Sequence, residues 1–194
     1  MNKQEFQAIE KQLSDTGYRV LPQSIRFGIK DARRLLYEGL CCCCENAKWL
    51  KEYDNISEWL QDNNGKGLSL IGGCGVGKTL IGAHIIPVLL NAYCRKIVNV
   101  FSANDMNTKT NEVLAKPIVY IDDVGVEFTK NEYGNKREVF SEIVDSAEKE
   151  GKILMFSTNL TTDKLKERYG DRTFDRLRAI TKCIIINEPK SLRA

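Results

Sequence analysis

The sequence contains no long apolar run, and this excludes a membrane-spanning helix, which needs about 20 consecutive apolar residues. Its first residues, Met1-Asn2-Lys3-Gln4-Glu5, have no apolar stretch of the kind that directs secretion, so a cytoplasmic location is expected. No segment repeats and no low-complexity linker interrupts the chain. Charge of one sign is also scarce. The 29 Lys and Arg against 26 Asp and Glu leave +3, too little to argue for nucleic acid by itself. The excess is late: Lys164 to Arg193 holds nine basic and four acidic residues. There is a single histidine, His84, which bears on the seven cysteines. An odd count makes no disulfide framework. Cys41 to Cys44 are consecutive, and Cys41 and Cys44 have the C-x-x-C spacing of a metal or redox site. Zinc would need two further ligands, but His84 lies in a helical stretch and Cys74, Cys94 and Cys183 are scattered. The expected role of the cysteines is therefore packing as small apolar groups, with His84 a partly buried helix residue. A chain of 194 residues, 42% hydrophobic and 28% charged, suits one sizeable core.

What is present is a phosphate-binding loop. Gly72-Gly73-Cys74-Gly75-Val76-Gly77-Lys78-Thr79 fits G-x-x-x-x-G-K-[ST]. Glycine permits positive φ and close approach, so that successive N–H groups form an anion nest at a helix N-terminus. Lys78 is placed to bridge β- and γ-phosphates, and the Thr79 hydroxyl to ligate Mg²⁺. The flanks agree: Leu68–Ile71 is a short buried strand and Leu80–Ala92 an apolar helix, with Pro87 expected to kink it.

Ile118-Val119-Tyr120-Ile121 is a second buried strand, ending in Asp122-Asp123. In open α/β sheets ligands bind beyond the carboxyl ends of strands. Asp122 would then face Thr79 and hold Mg²⁺, in the manner of a Walker B motif, and Asp123 could polarise an attacking water. Further strands are expected at Ile97–Phe101, Ile153–Phe156 and Cys183–Ile186. Helices are expected at Lys136–Glu150 and Thr162–Tyr169, the former with a core face of Val139, Ile143, Val144 and Ala147. The alternation implies an α/β fold with a parallel sheet covered on both faces. Upstream, residues 1 to about 25 read as helical and polar, Asp31–Trp49 as a helix with Asp31 as N-cap, and Ile56, Trp59 and Leu60 as a short helix on the sheet.

Three later features are more particular. Lys152 to Phe156 leads into Ser157-Thr158-Asn159, where Asn159 could bond a γ-phosphate or position water. Tyr169-Gly170-Asp171-Arg172-Thr173-Phe174-Asp175-Arg176-Leu177-Arg178 sets arginines at helical spacing. Ser191-Leu192-Arg193 follows the last strand.

From about residue 65 onward, GGCGVGKT, IVYIDDVG, STN, YGDRTFDRLR and SLR together resemble the AAA+ ATPases of the DnaC type. These are the bacterial replicative-helicase loaders and the ATP-binding helpers of insertion-sequence transposition. The resemblance implies a P-loop NTPase with a five-stranded parallel sheet flanked by helices and almost no C-terminal lid. It implies ATP and Mg²⁺ as cofactors. ATP would be held by Gly72, Gly73, Cys74, Gly75, Val76, Gly77, Lys78, Thr79, Arg172 and Arg193, and Mg²⁺ by Thr79 and Asp122. Catalysis would fall to Lys78, Asp123, Asn159 as sensor 1, and Arg176 as an arginine finger reaching a neighbouring subunit, with Arg172 as second choice. Arg193 matches sensor 2. Residues 61–194 would form the ATPase core and residues 1–60 a helical, candidate partner-binding segment. The partners implied are a homo- or hetero-oligomeric neighbour through Arg176 and a replicative helicase.

Two departures from the family sharpen these expectations. The interval Ser102–Pro117 is shorter than in the loaders, so the helices that line a single-stranded DNA channel there are expected to be missing and DNA binding weak. Asp-Asp in place of the commoner Asp-Glu shortens the second carboxylate, so turnover is expected to be slow. The function implied is a loader-like assembly switch in DNA replication. The alternatives are a non-hydrolysing, nucleotide-dependent interaction module and a transposition helper.

Overall fold

The computed structural model describes residues 1–14, 16, 22–45, 47–127, 130–132 and 135–187. Strands β1 (Gly67–Gly72), β2 (Asn99–Ser102), β3 (Ile118–Asp122), β4 (Ile153–Thr158) and β5 (Thr181–Ile186) form one sheet in the order β2-β3-β4-β1-β5. Every pairing within it is parallel. A separate antiparallel pair joins 130–132 to 135–137. β1 is an inner strand flanked by β4 and β5, so the loop that follows it opens between those two neighbours, at the carboxyl ends where such sheets bind ligands.

Strand alternation divides the core in two, because successive side chains point to opposite faces. Leu68 and Leu70 of β1, Ile118 and Tyr120 of β3, Ile153 and Met155 of β4, and Ile184 and Ile186 of β5 share one buried cluster. Over it lie α2 (Ala32–Cys43), α3 (Glu52–Gln61) and the helix after the phosphate-binding loop. Val119, Ile121, Leu154 and Phe156 face the other cluster. That side is covered by α5 (Ala103–Thr108), α6 (Thr110–Ala115), α7 (Val139–Glu150) and α8 (Thr162–Ile180). Helix α1 (Lys3–Ser14) contributes to neither cluster, and its Phe6, Ile9 and Leu13 are exposed.

The 22–30 segment is sewn to the core by the Asn63 side chain together with backbone bonds. Buried Asn63 accepts from Phe27 N at 2.9 Å and donates to Ile25 O at 3.0 Å, while Ile29 N bonds Leu60 O at 2.8 Å. Residues 25–60 therefore pack in the same cluster as the sheet rather than apart from it.

Several expectations need correction. Asp31 is not a capping side chain: it adopts left-handed φ 55° and makes no cap bond, and α2 ends at Cys43 rather than reaching Trp49. The buried stripe of α2 is Ala32, Leu35, Leu36 and Leu40, and the four cysteines lie at and beyond its end, all exposed. They are not packing groups. His84 is exposed as well. Residues 135–137 are a strand segment, so α7 begins at Val139. β2 starts at Asn99 because Ile97 lies before the ladder. The Ser102–Pro117 interval keeps two short helices, the first closed by a reciprocal capping box between Ser102 and Asp105.

Pro87 does not produce a free kink. The turn ahead of it, Leu80–Ile85, is wound as a π-helix, and α4 (Ile86–Cys94) continues from it, with Ile86 N bonding Ile81 O. The wider turn absorbs the position where proline offers no N–H. That same turn carries Gly82, where an added Cβ would lie 2.1 Å from the Tyr120 ring. The tyrosine of β3 thus packs directly on helix backbone.

Candidate nucleotide site

The phosphate-binding loop has the backbone its glycines foretell. Gly75 and Gly77 sit at φ 81° and 82°, a region that strains any residue with a Cβ. Gly77 also needs its bareness for space, since a Cβ would meet the Tyr53 hydroxyl at 2.9 Å. That hydroxyl, on buried α3, donates to Val76 O at 3.1 Å and ties the loop to the helical layer. Gly73 has open space at its Cβ position, and Cys74 is exposed at the loop's crest.

Lys78 is 5% exposed, and its ammonium donates to Gly72 O at 2.9 Å, Gly73 O at 2.7 Å and Asn159 Oδ1 at 2.8 Å. The loop lysine and the residue at the end of β4 are thus joined from 81 positions apart. Thr79 Oγ1 donates to Asp122 Oδ1 at 3.1 Å. The same oxygen accepts from Ser157 Oγ at 2.6 Å and Tyr120 OH at 3.1 Å. Burial, opposed by the bond with Ser157 and reinforced by the Asp122 charge, pushes the Tyr120 hydroxyl well above its ordinary range, so it stays a donor. Asp123 turns away at φ 56°; its N–H bonds Ser157 Oγ at 3.0 Å, and its Oδ1 accepts from Asn159 Nδ2 at 3.5 Å.

Lys78, Thr79, Asp122, Asp123 and Asn159 therefore converge at the carboxyl ends of β1, β3 and β4. Sequence reasoning passed over Ser157, which donates to Asp122 and accepts from the backbone of Asp123, and Tyr120, whose aromatic ring reads as a core residue. The signal for Ser157 was a hydroxyl at the buried end of a strand beside the acidic one. Sequence reasoning also missed Tyr53, which ties the loop to the helical layer. Oxygen donors from one hydroxyl and one carboxylate suit Mg²⁺, which keeps several waters and takes phosphate oxygens rather than a protein cage. Among the described residues no group of three or more His, Cys, Asp or Glu is placed to hold a metal by itself.

The arginines are arranged differently. Helix α8 breaks at Gly170 (φ 82°, ψ 161°), and the arginine stretch lies on its second half. Arg176 does not point outward. Its guanidinium pairs with Asp145 and, at 2.9 Å, with Glu148, both on α7, leaving the side chain 18% exposed. Two carboxylates nearly one helical turn apart capture it. Arg172 is exposed. Arg193 lies outside the described residues.

A five-stranded parallel sheet in this order, with a phosphate loop after the inner strand β1 and paired aspartates at the end of β3, two strands away, has the fold of a P-loop NTPase of the AAA+ type. The family model of the novel STAND NTPase 3 proteins matches residues 50–191, and the chain belongs to that family. The replicative helicase loader DnaI of Bacillus subtilis (strain 168) is 26% identical over 135 residues, covering 62% of this chain. The chain spans only 43% of that relative's length. Among solved structures, the DnaC helicase loader superposes with a TM-score of 0.60 at 18% identity, over 81% of this chain and 99% of its own. AMPPCP-bound DnaA from Aquifex aeolicus gives 0.56 at 19% identity, over 77% of this chain and 51% of its own. At these identities the structures attest the fold, and with the loader relative they bear out the DnaC-type AAA+ resemblance.

Proposed function

We propose that the chain binds ATP with Mg²⁺ in the Gly72–Thr79 loop, hydrolyses it slowly, and works as a loader-like assembly switch in DNA replication. The observation that carries this reading is the 3.1 Å bond between Thr79 and Asp122, two residues 43 positions apart that meet beside the loop lysine. Thr79 and Asp122 would hold the ion, which when bound neutralises charge on the β- and γ-phosphates. Lys78 exchanges carbonyl partners for phosphate oxygens, which are stronger acceptors because they are charged. Asn159, within reach of both Lys78 and Asp123, aligns the cation with the carboxylate that orients water. Division of labour follows: Asp123→Asn keeps Mg·ATP binding and loses turnover, whereas Asp122→Asn weakens the Mg²⁺ dependence itself.

Completion of the site by a neighbouring protomer belongs to the same reading. With Arg176 held by α7, Arg172 takes the place of the finger. Similarity to a loader supports a replicative helicase as partner and the loader role over that of a transposition helper. Single-stranded DNA binding is weak, salt-sensitive and without sequence preference, through phosphate contacts of the basic residues after Lys164. The deciding experiment is ATPase rate per subunit against protein concentration, with and without single-stranded DNA. A rate that climbs with concentration supports the shared site. Tight ATP binding with no turnover at any concentration replaces it with a non-hydrolysing interaction module.

A further inference from the structure

Among the described residues Glu127 is the only buried carboxylate, at 6% exposure, and the nucleotide reading gives it no task. Burying a carboxylate is costly unless it is paired and hydrogen-bonded, and Glu127 is both. Its Oε2 accepts from Gly125 N at 2.6 Å. Its Oε1 accepts from the Tyr169 hydroxyl and from Arg168 Nη2 at 3.3 Å, and Arg168 also bonds its carbonyl oxygen.

These partners belong to two different parts of the site. Gly125 is two residues beyond Asp123, with φ 105°, a backbone only glycine takes without strain, and it is pressed under Leu160, whose Cδ1 would lie 2.4 Å from a Cβ there. Val124 N and O are bonded to Ser157 O and Thr158 Oγ1, so the loop after the aspartates is stitched to the end of β4. Arg168 and Tyr169 lie immediately before the break at Gly170, beyond which α8 carries Arg172. The Tyr169 ring packs on Phe140 of α7, with centroids 4.8 Å apart. Movement at Asp123 thus has a bonded path to the hinge of the arginine helix: Gly125, Glu127, then Tyr169 and Arg168.

We propose that Glu127 is a positioning residue that couples the loop after Asp122-Asp123 to the Gly170 break of α8, so that occupancy of the phosphate site sets how α8 presents Arg172 to a neighbour. The proposal rests on the ATP reading of the site. A purely structural clamp would hold the two elements together without passing a signal, and the two roles differ in what ATP does to α8.

The test is hydrogen–deuterium exchange on the full chain, with and without Mg·ATP, in wild type, Glu127→Gln and Tyr169→Phe. Both variants preserve size, and Tyr169→Phe retains the packing against Phe140. In wild type, ATP slows exchange at 72–79 and alters it along 171–180. In each variant the change at 72–79 persists and that at 171–180 is lost, while kcat falls and the KM for ATP holds. A response at 171–180 that survives in both variants, or a wild type that responds only at 72–79, overturns the coupling and leaves nucleotide binding standing. No response at 72–79 in wild type removes the ATP reading and the coupling with it.

Discussion

The phosphate loop and helix α8 both carry cations, yet the surroundings of those cations are set by opposite routes. Lys78 is delivered by eight consecutive residues whose glycines fix their own path, and its carbonyl partners Gly72 and Gly73 belong to the same loop. The arginines of α8 sit on a helix that by itself fixes only their angular spacing. Whether each is free or captured depends on what another element brings alongside. Helix α7 brings Asp145 and Glu148 to Arg176 and leaves Arg172 exposed. A motif whose bonds are mostly local depends less on its surroundings; the fate of residues strung along a helix is decided by their neighbours.

The strongest way to break this contrast is to exchange the two arginines' roles. Arg172→Ala is expected to bind ATP normally and lose about 10³ in turnover, the lower end of what a finger supplied in trans contributes. Mixing it with Lys78→Ala restores part of the rate, because some interfaces then pair an intact loop with an intact arginine. ATPase assays of the mixed proteins decide it, and failure to rescue where wild type assembles defeats the shared site.

Next in size is Gly82→Ala, which tests the claim that the loop's supporting helix depends on tertiary approach. A methyl group 2.1 Å from the Tyr120 ring must displace it, and destabilisation of roughly 1–3 kcal/mol is expected from such overpacking. The midpoint of denaturant unfolding measures it; an unchanged midpoint would show that the ring shifts freely.

Lys78→Ala probes the self-contained side of the comparison. ATP affinity is expected to fall at least about tenfold, or roughly 1.4 kcal/mol, by calorimetry or with a fluorescent analogue. Unchanged affinity in a folded variant ends the assignment of the loop.

The smallest effect is assigned to Arg176→Ala. As a partly exposed ion pair between two helices it should cost about 1 kcal/mol of stability and leave turnover within a few-fold of wild type. A loss of turnover as large as that of Arg172→Ala, at unchanged stability, would return the finger to Arg176.

The sheet and its nucleotide end were legible because the information is local. Five apolar runs supplied the five strands of the sheet, and Gly72–Thr79 with Asp122-Asp123 marked where ligand chemistry collects. Errors arose where a side chain's fate depends on distant residues. The cysteines read as packing groups from composition, but the apolar stripe of α2 ends at Leu40, before it reaches them. No local pattern foretells the burial of Glu127, because its partners Arg168 and Tyr169 lie 41 and 42 positions on.

By itself, then, the sequence determined the phosphate loop, the alternation of strands and helices, and the carboxylates at the end of β3. Periodicity and glycine content act over a few residues and need no partner. Only the tertiary structure decided that Thr79 meets Asp122, that Asn159 reaches Lys78, that Tyr120 rests on Gly82, and that α7 withdraws Arg176 from the surface. Each of these is a meeting of groups 28 to 81 positions apart, and such meetings are set by how the layers pack, a choice that no local pattern encodes.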